Sequence, residues 1–306
     1  MDELRFTAEL MAAEGLTMHH LLNACRAGEW ERVRRGAYVR GVVPDERAQH
    51  LLLIAATMPL VGDGSVVSHA SAAVLHGFPV PRSLLDRVWI TREGGGHGRH
   101  GPVVHLRRCR LDSEDVTFVG GVPVTSPART AIDLARAAKL EWGVIACDAA
   151  LAIGVERTDL LGVIERMRGW PGVRRADRAA RFADPGAQSP LESVSRLQIS
   201  RLRYPVPVVQ FPVLRGGVLV ATSDFGWEDS GLVGECDGKV KYGVLLEAGE
   251  TAADAVMREK RREERIRGAG YWISRWDWAD AWHPPSLKGI LDTGFECAPG
   301  PVRAAS

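Results

Sequence analysis

Apolar residues recur at helical spacing over 3–13, where Leu4, Ala8, Leu10 and Met11 form one stripe, and Gly15 stops that segment. Thr17 is placed to cap a second helix running to about Ala27. The pattern then changes period: Trp30 and Val33, followed by Tyr38 and Val39, bracket an Arg34-Arg35-Gly36 turn as two short strands would. Two helices and a basic hairpin predict a winged helix over residues 1–45. Residues 47–58 and 68–77 read as helices, the second with Ser68 as cap and Gly77 as stop, and 87–91 and 102–107 read as strands. Ser126 and Pro127 open a helix whose buried stripe is Ala131, Ile132, Leu134 and Ala135. Further helices follow at about 141–152, 158–168 and 172–182. The run Asp184 to Pro190, rich in turn formers, predicts the linker that closes a mixed α+β domain over 46–184.

Beyond the linker, Val218, Leu219 and Val220 lead into Glu228-Asp229-Ser230-Gly231, and Leu232 and Val233 lead out, which predicts an antiparallel hairpin. Thr251 to Arg267 reads as a charged helix with sparse apolar contacts, and Gly270 to Trp276 as a strand. Four tryptophans (272, 276, 278 and 282) close this third domain, 189–283; three of them share one strand face, as core packing would require. The Pro/Gly-rich stretch 284–306 is expected to be a disordered tail. The fold class is therefore α/β in the broad sense, α+β overall.

Composition sharpens the picture in a few places. At 306 residues, 45% hydrophobic and 25% charged, the chain has material for two or three domains. A net charge of +1 gives no whole-chain argument for a polyanionic partner, so only local clusters count. Arg26, Arg32, Arg34, Arg35 and Arg40 make such a cluster around the wing, suited to phosphate contacts that would position a recognition helix on DNA, although a merely solvated turn has the same composition. In the charged helix Arg258, Lys260, Arg261, Arg262, Arg265 and Arg267 outnumber Glu259, Glu263 and Glu264; tracking a nucleic-acid backbone and internal i,i+4 ion pairing both account for them. Five scattered cysteines without CxxC spacing argue against a disulfide framework or a zinc ribbon and fit a reducing cytoplasm. No stretch approaches the roughly 20 apolar residues of a membrane span. His97, His100 and His105, around a glycine-rich stretch at 94–101, share no regular spacing with Cys or carboxylates and are expected to sit on a flexible hairpin tip.

The chemistry concentrates in the hairpin at 224–241. If Glu228 faces Gly231, Asp224 faces Glu235 at roughly 5 Å between Cβ atoms, and alternation adds Asp237 to the same face. Opposed carboxylates destabilise a ladder unless a cation joins them, and an all-oxygen set suits Mg²⁺ or Mn²⁺. Of 39 Lys plus Arg only five are lysine, yet Lys239 and Lys241 both fall here, where an ammonium could sit beside an attacking water. An exposed hairpin whose acids and lysines pair with one another explains the same residues.

Two resemblances add to these readings. The segments GEWERVRRGAYV, SHASAAVLHG and GVPVTSPARTAIDLAR resemble AbiEi-type antitoxins, the regulatory half of type IV abortive-infection pairs, over roughly residues 1–150. That likeness implies DNA binding and a cognate toxin protein as partner. Ser189-Pro190-Leu191-Glu192, Asp224, and Glu235-Cys236-Asp237-Gly238 resemble the PD-(D/E)XK nuclease superfamily, in particular its branch akin to very-short-patch-repair endonucleases, over roughly 189–282. By position, Asp224 and Glu235 would bind metal, Asp237 would assist and Glu192 would be an accessory acid. Ser223 stands where the name-giving proline would be and Asp237 in the motif's lysine place, so Lys241, or Lys239, would serve as the catalytic lysine. The leading expectation is a DNA-binding, Mg²⁺-dependent endonuclease of defence or repair; the alternative is a non-catalytic antitoxin and autoregulator with a degenerate nuclease fold.

Overall fold

A computed structural model of the chain describes residues 4–13, 15–237 and 251–301. Among them are twelve helices and three sheets, a mixed α/β architecture in two compact units, Met1–Arg181 and Phe182–Ser306. No helix among the described residues is long and apolar enough to cross a membrane.

The first unit begins with β1 (Arg5–Phe6), α1 (Thr7–Ala13), α2 (Met18–Arg26), β2 (Trp30–Arg34) and β3 (Ala37–Arg40). Thr17 caps α2 by accepting the His20 N–H, and Gly36, at φ 86°, supplies the left-handed residue of the β2–β3 turn. The strands pair in the order β1-β3-β2, and Leu10, Leu21, Trp30 and Tyr38 form a small core between sheet and helices.

Next come α3 (Glu46–Thr57), β4 (Ser65–Val67), α4 (His69–His76), β5 (Val88–Arg92), β6 (Arg99–His100), β7 (Val104–Arg108), β8 (Val116–Val119) and β9 (Val122–Thr125). They build a six-stranded sheet in the order β6-β7-β5-β4-β9-β8. Ile54, Val67, Ala72, Val88, Ile90 and Val124 are its main core. α5 (Pro127–Ala137), α6 (Leu140–Ala152), α7 (Arg157–Arg166) and α8 (Val173–Phe182) complete the unit. Ser126 caps α5 through the Arg129 N–H, with Pro127 in the first turn. Ser68 does not cap α4, because its hydroxyl is spent on Thr91 and His69.

The second unit opens with α9 (Pro190–Arg201), followed by β10 (Val208–Arg215), β11 (Val218–Trp227), a 3-10 turn at Glu228–Ser230, and β12 (Leu232–Asp237). After α10 (Ala252–Gly268), β13 (Trp272–Asp277) pairs parallel with β12 to give the order β10-β11-β12-β13. Ile266 of α10 closes a core with Phe211, Val213, Val233 and Ile273. Phe225 stacks on Trp276 at 5.7 Å, and the Trp276 indole donates to Ser195 Oγ on α9 at 2.7 Å. The edge strand β10 carries Pro212 and a left-handed Gln210 at φ 51°.

Two expectations for this unit are corrected. β13 ends at Asp277, whose carboxylate accepts the N–H groups of Ala279 and Asp280 and so starts α11 (Trp278–Trp282). Trp278 and Trp282 therefore pair along a helix, rings 5.7 Å apart, and do not join a strand face. Residues 284–297, expected in a disordered tail, form α12 (Pro284–Cys297), with Leu287 and Leu291 fully buried. Proline begins this helix, where a missing N–H costs nothing, and Gly294 lies so close to Ser274 and Leu232 that a side chain there would collide with them.

Candidate functional site

The wing presents its arginines unequally. Arg32, Arg35 and Arg40 are exposed on the β2–β3 hairpin, and Arg26 is exposed at the end of α2, where it donates to Asn23 Oδ1. Arg34 is withdrawn: its guanidinium donates to Thr57 Oγ1 at 3.0 Å and to the Ala56 carbonyl, satisfying the carbonyl end of α3. It thus caps α3 from the wing.

In the second unit the hairpin forms with the expected turn and register. Phe225 pairs with Gly234, Gly226 with Val233 and Trp227 with Leu232, and Gly231 takes the left-handed conformation that closes the turn. The next rung would set Asp224 beside Glu235. There the ladder changes character, because an Asp224 carboxylate oxygen accepts the Cys236 N–H at 2.7 Å. Glu235 is buried and already compensated. Arg262 from α10 reaches its Oε1 at 2.7 Å, Arg275 from β13 lies 3.2 Å from its Oε2, and the Ser223 hydroxyl donates at 3.3 Å. Glu259 and Glu263 extend the lattice to Arg275 at 2.8 and 3.2 Å. Although burial alone would lower the Arg275 pKa, Glu235, Glu259 and Glu263 outweigh it and hold the guanidinium more firmly protonated than usual.

These contacts decide how well the residues suit Mg²⁺ or Mn²⁺. A divalent ion needs several free oxygens, yet two guanidinium groups occupy the position where its charge would act. Among the described residues no group of three or more His, Cys, Asp or Glu could hold a metal ion. Glu192, expected as an accessory acid, serves its own helix: it accepts from Gln188 N–H at 3.0 Å, from Ser189 Oγ at 2.8 Å and from Gln210 Nε2 at 2.9 Å. Asp237 is exposed at the end of β12, in register with Asp277. Lys239 and Lys241 lie outside the described residues. Arg262, expected on DNA, points inward to Glu235 and to the Thr222 carbonyl at 2.7 Å.

Sequence reading missed a second polar centre, in the first unit. Arg129 on α5 bonds Asp133 at 2.9 Å, one turn along, and Asp115 at 2.6 Å; Arg136 bonds Asp133 at 3.0 Å and Arg166 bonds Asp115 at 2.8 Å. Both Arg129 and Arg136 lie over the Trp170 ring. Burial would raise the Asp133 pKa, but its charged neighbours, Arg129 and Arg136 among them, outweigh it and hold the carboxyl below the usual range. Burial pushes His69 down to about 4, so its imidazole is neutral. The Ser68 hydroxyl contacts His69 Nδ1 at 3.0 Å, with Asp133 nearby, yet all three side chains are sealed from solvent and no substrate could reach the serine. The i,i+4 spacing of Arg129 and Asp133 was the available signal for this centre.

Two uncharacterized proteins of Mycobacterium tuberculosis resemble the chain, MT2308 of strain CDC 1551 / Oshkosh and Rv2248 of strain ATCC 25618 / H37Rv. Each is 27% identical over 249 residues, covering 76% of this chain and 90% of the relative. Residues 65–183, a stretch that includes the sealed Arg129–Asp133 centre, match the family model described as the AbiEi antitoxin C-terminal domain, and this part of the chain is similar to that domain.

Proposed function

We propose that the protein is a DNA-binding regulator of the antitoxin type, in which the wing grips duplex DNA, the AbiEi-like domain engages a cognate toxin protein, and the nuclease-like second unit serves as a non-catalytic binding module. The match of residues 65–183 to the antitoxin domain carries this reading. Support comes from the exposed Arg32, Arg35 and Arg40 beside α2, since phosphate contacts around a helix pair are how such domains are positioned on a duplex. The arginines on Glu235 favour a binding role for the second unit over hydrolysis. The reading is tested by the salt dependence of binding to the protein's own promoter DNA. Replacing Arg32, Arg35 and Arg40 together by alanine should make the log–log salt slope shallower by about 2 to 3, at about 0.9 for each phosphate no longer neutralised, whereas Arg34→Ala should leave the slope unchanged. An unchanged slope in the triple variant would overturn it.

The endonuclease reading retains one observation in its favour, the register that brings Asp224 toward Glu235. Nicking of plasmid by the purified protein with Mg²⁺ or Mn²⁺, abolished by EDTA and by Asp224→Ala in a folded protein, would establish it.

A further inference from the structure

Of Arg26, Arg32, Arg34, Arg35 and Arg40, the first alone stands on a helix. α2 buries Leu21 and packs Ala24 and Cys25 against the same core, so the opposite stripe, His19, Leu22, Asn23 and Arg26 at i, i+3, i+4 and i+7, faces solvent. A polar chain runs along that stripe. The Asn23 amide N–H donates to His19 Nε2 at 3.0 Å, and Arg26 Nη1 donates to Asn23 Oδ1 at 3.3 Å. The remaining N–H donors of Arg26 are uncommitted, and no carboxylate among the described residues engages it. Leu22 sits in the middle of these polar groups, 42% exposed.

We propose that α2 reads base edges in the major groove, with Arg26 on a guanine, oriented by Asn23, and Leu22 on the methyl group of a neighbouring thymine. The inference rests on the DNA-binding reading given above and adds to it the residues that recognise sequence. In a helix pair of this kind the second helix is the one laid in the groove. From His19 to Arg26 the stripe is roughly 10 Å long at about 1.5 Å per residue, which spans about three base steps of about 3.4 Å. Guanine presents O6 and N7 side by side, the acceptor pair that a guanidinium fork matches, and a guanidinium held by a neighbouring amide meets them with less freedom to lose. Leu22 favours bases over phosphate as the ligand of this face, because the groove offers the thymine methyl whereas a phosphate offers nothing apolar. Phosphate contacts fall to Arg32, Arg35 and Arg40 on the wing.

The test is selection of bound sites from a pool of random duplexes by untagged, full-length protein, followed by titration of the enriched duplex. Wild type should enrich a site with a fixed G·C pair next to a thymine. Arg26→Ala, a surface change, should lose about 5- to 150-fold of the preference for that pair, the range of one bidentate base contact, with binding to unrelated duplex and the circular dichroism spectrum unaltered. Replacing that guanine by 7-deazaguanine, which lacks the N7 acceptor, should weaken wild type and leave Arg26→Ala indifferent. Asn23→Ala should lower the preference at the same base pair, as a residue acting through Arg26 must; an undiminished preference would overturn its positioning role. A uniform loss by Arg26→Ala on every sequence, with a salt slope shallower by about 0.9, would make Arg26 a phosphate contact and overturn the proposal, as would the absence of any enriched site. Neither outcome touches the wing, whose salt slope in the triple variant is read on any duplex, so failure of base reading and failure of DNA binding by the wing are told apart.

Discussion

Each unit of the chain contains an arginine–carboxylate lattice, and the two are built to opposite ends. In the first, the central Arg129, Asp133 and Asp115 have side chains 2%, 1% and 4% exposed, and only its border partners reach solvent, Arg136 at 14% and Arg166 at 34%. In the second, Glu235 is 8% exposed but its partners Arg262 and Arg275 are 27% and 32% exposed, with Glu259 and Glu263 sharing them. Desolvated charges left without a partner are costly, whereas partly solvated ones find water. The sealed lattice is therefore a fastening. The open one neutralises the Glu235 carboxylate at the rim of the domain, where the arginines remain reachable.

The contrast is broken most severely at the sealed end. Asp133→Asn removes the acceptor shared by Arg129 and Arg136 and should cost about 3–5 kcal/mol, a fall of roughly 10 °C in Tm by calorimetry. A decrease below about 1 kcal/mol would mean that the lattice relaxes as easily as the open one.

His69 sharpens the same point through pH. Its folded pKa of about 4 lies below the ordinary value of 6.5, so the unfolded chain binds the proton more tightly. The stability this gives is complete above pH 6.5 and is lost as pH falls from 6.5 toward 4, by roughly 3 kcal/mol if His69 acts alone. His69→Asn, which tolerates the left-handed backbone at φ 50°, should flatten that limb in denaturant unfolding measured from about pH 7 to about pH 4. An identical limb in the variant would assign the acid sensitivity elsewhere.

At the open end the effect should be smallest. Glu235→Gln leaves Arg275 on Glu259 and Glu263, and Arg262 on Glu259, so the cost should be only about 1 kcal/mol in urea unfolding. A destabilisation as large as that of Asp133→Asn would erase the distinction between the two lattices.

What could be read in the chain followed from how locally each feature is encoded. The caps at Thr17 and Ser126, the left-handed stop at Gly77 and the turn at Glu228–Gly231 each depend on a few adjacent residues, and all but the role of Ser68 formed as read. The ions around Glu235 could not be read, because Arg262 and Arg275 arrive from 27 and 40 residues downstream and only the β12–α10–β13 crossover brings them in. The contact of Arg34 was hidden for the same reason: its partner Thr57 is 23 residues away. The C-terminal helix was legible and overlooked, since Leu287 and Leu291 stand one turn apart within a stretch whose proline and glycine content suggested disorder. The antitoxin-like character of the middle domain was carried by resemblance, and periodicity alone would not have supplied it.

The edge strand β10 has a consequence for how the second unit meets other copies of itself. Proline has no N–H to offer a neighbouring strand, and a left-handed residue two positions earlier interrupts the pleat on which another chain would have to align. With Val206, Val208, Leu214, Val218 and Leu219 exposed nearby, this border would otherwise be a template for runaway sheet growth. Pro212 and Gln210 act as a terminator on the lattice of the sheet, and substitutions that restore a regular strand there trade colloidal stability for order.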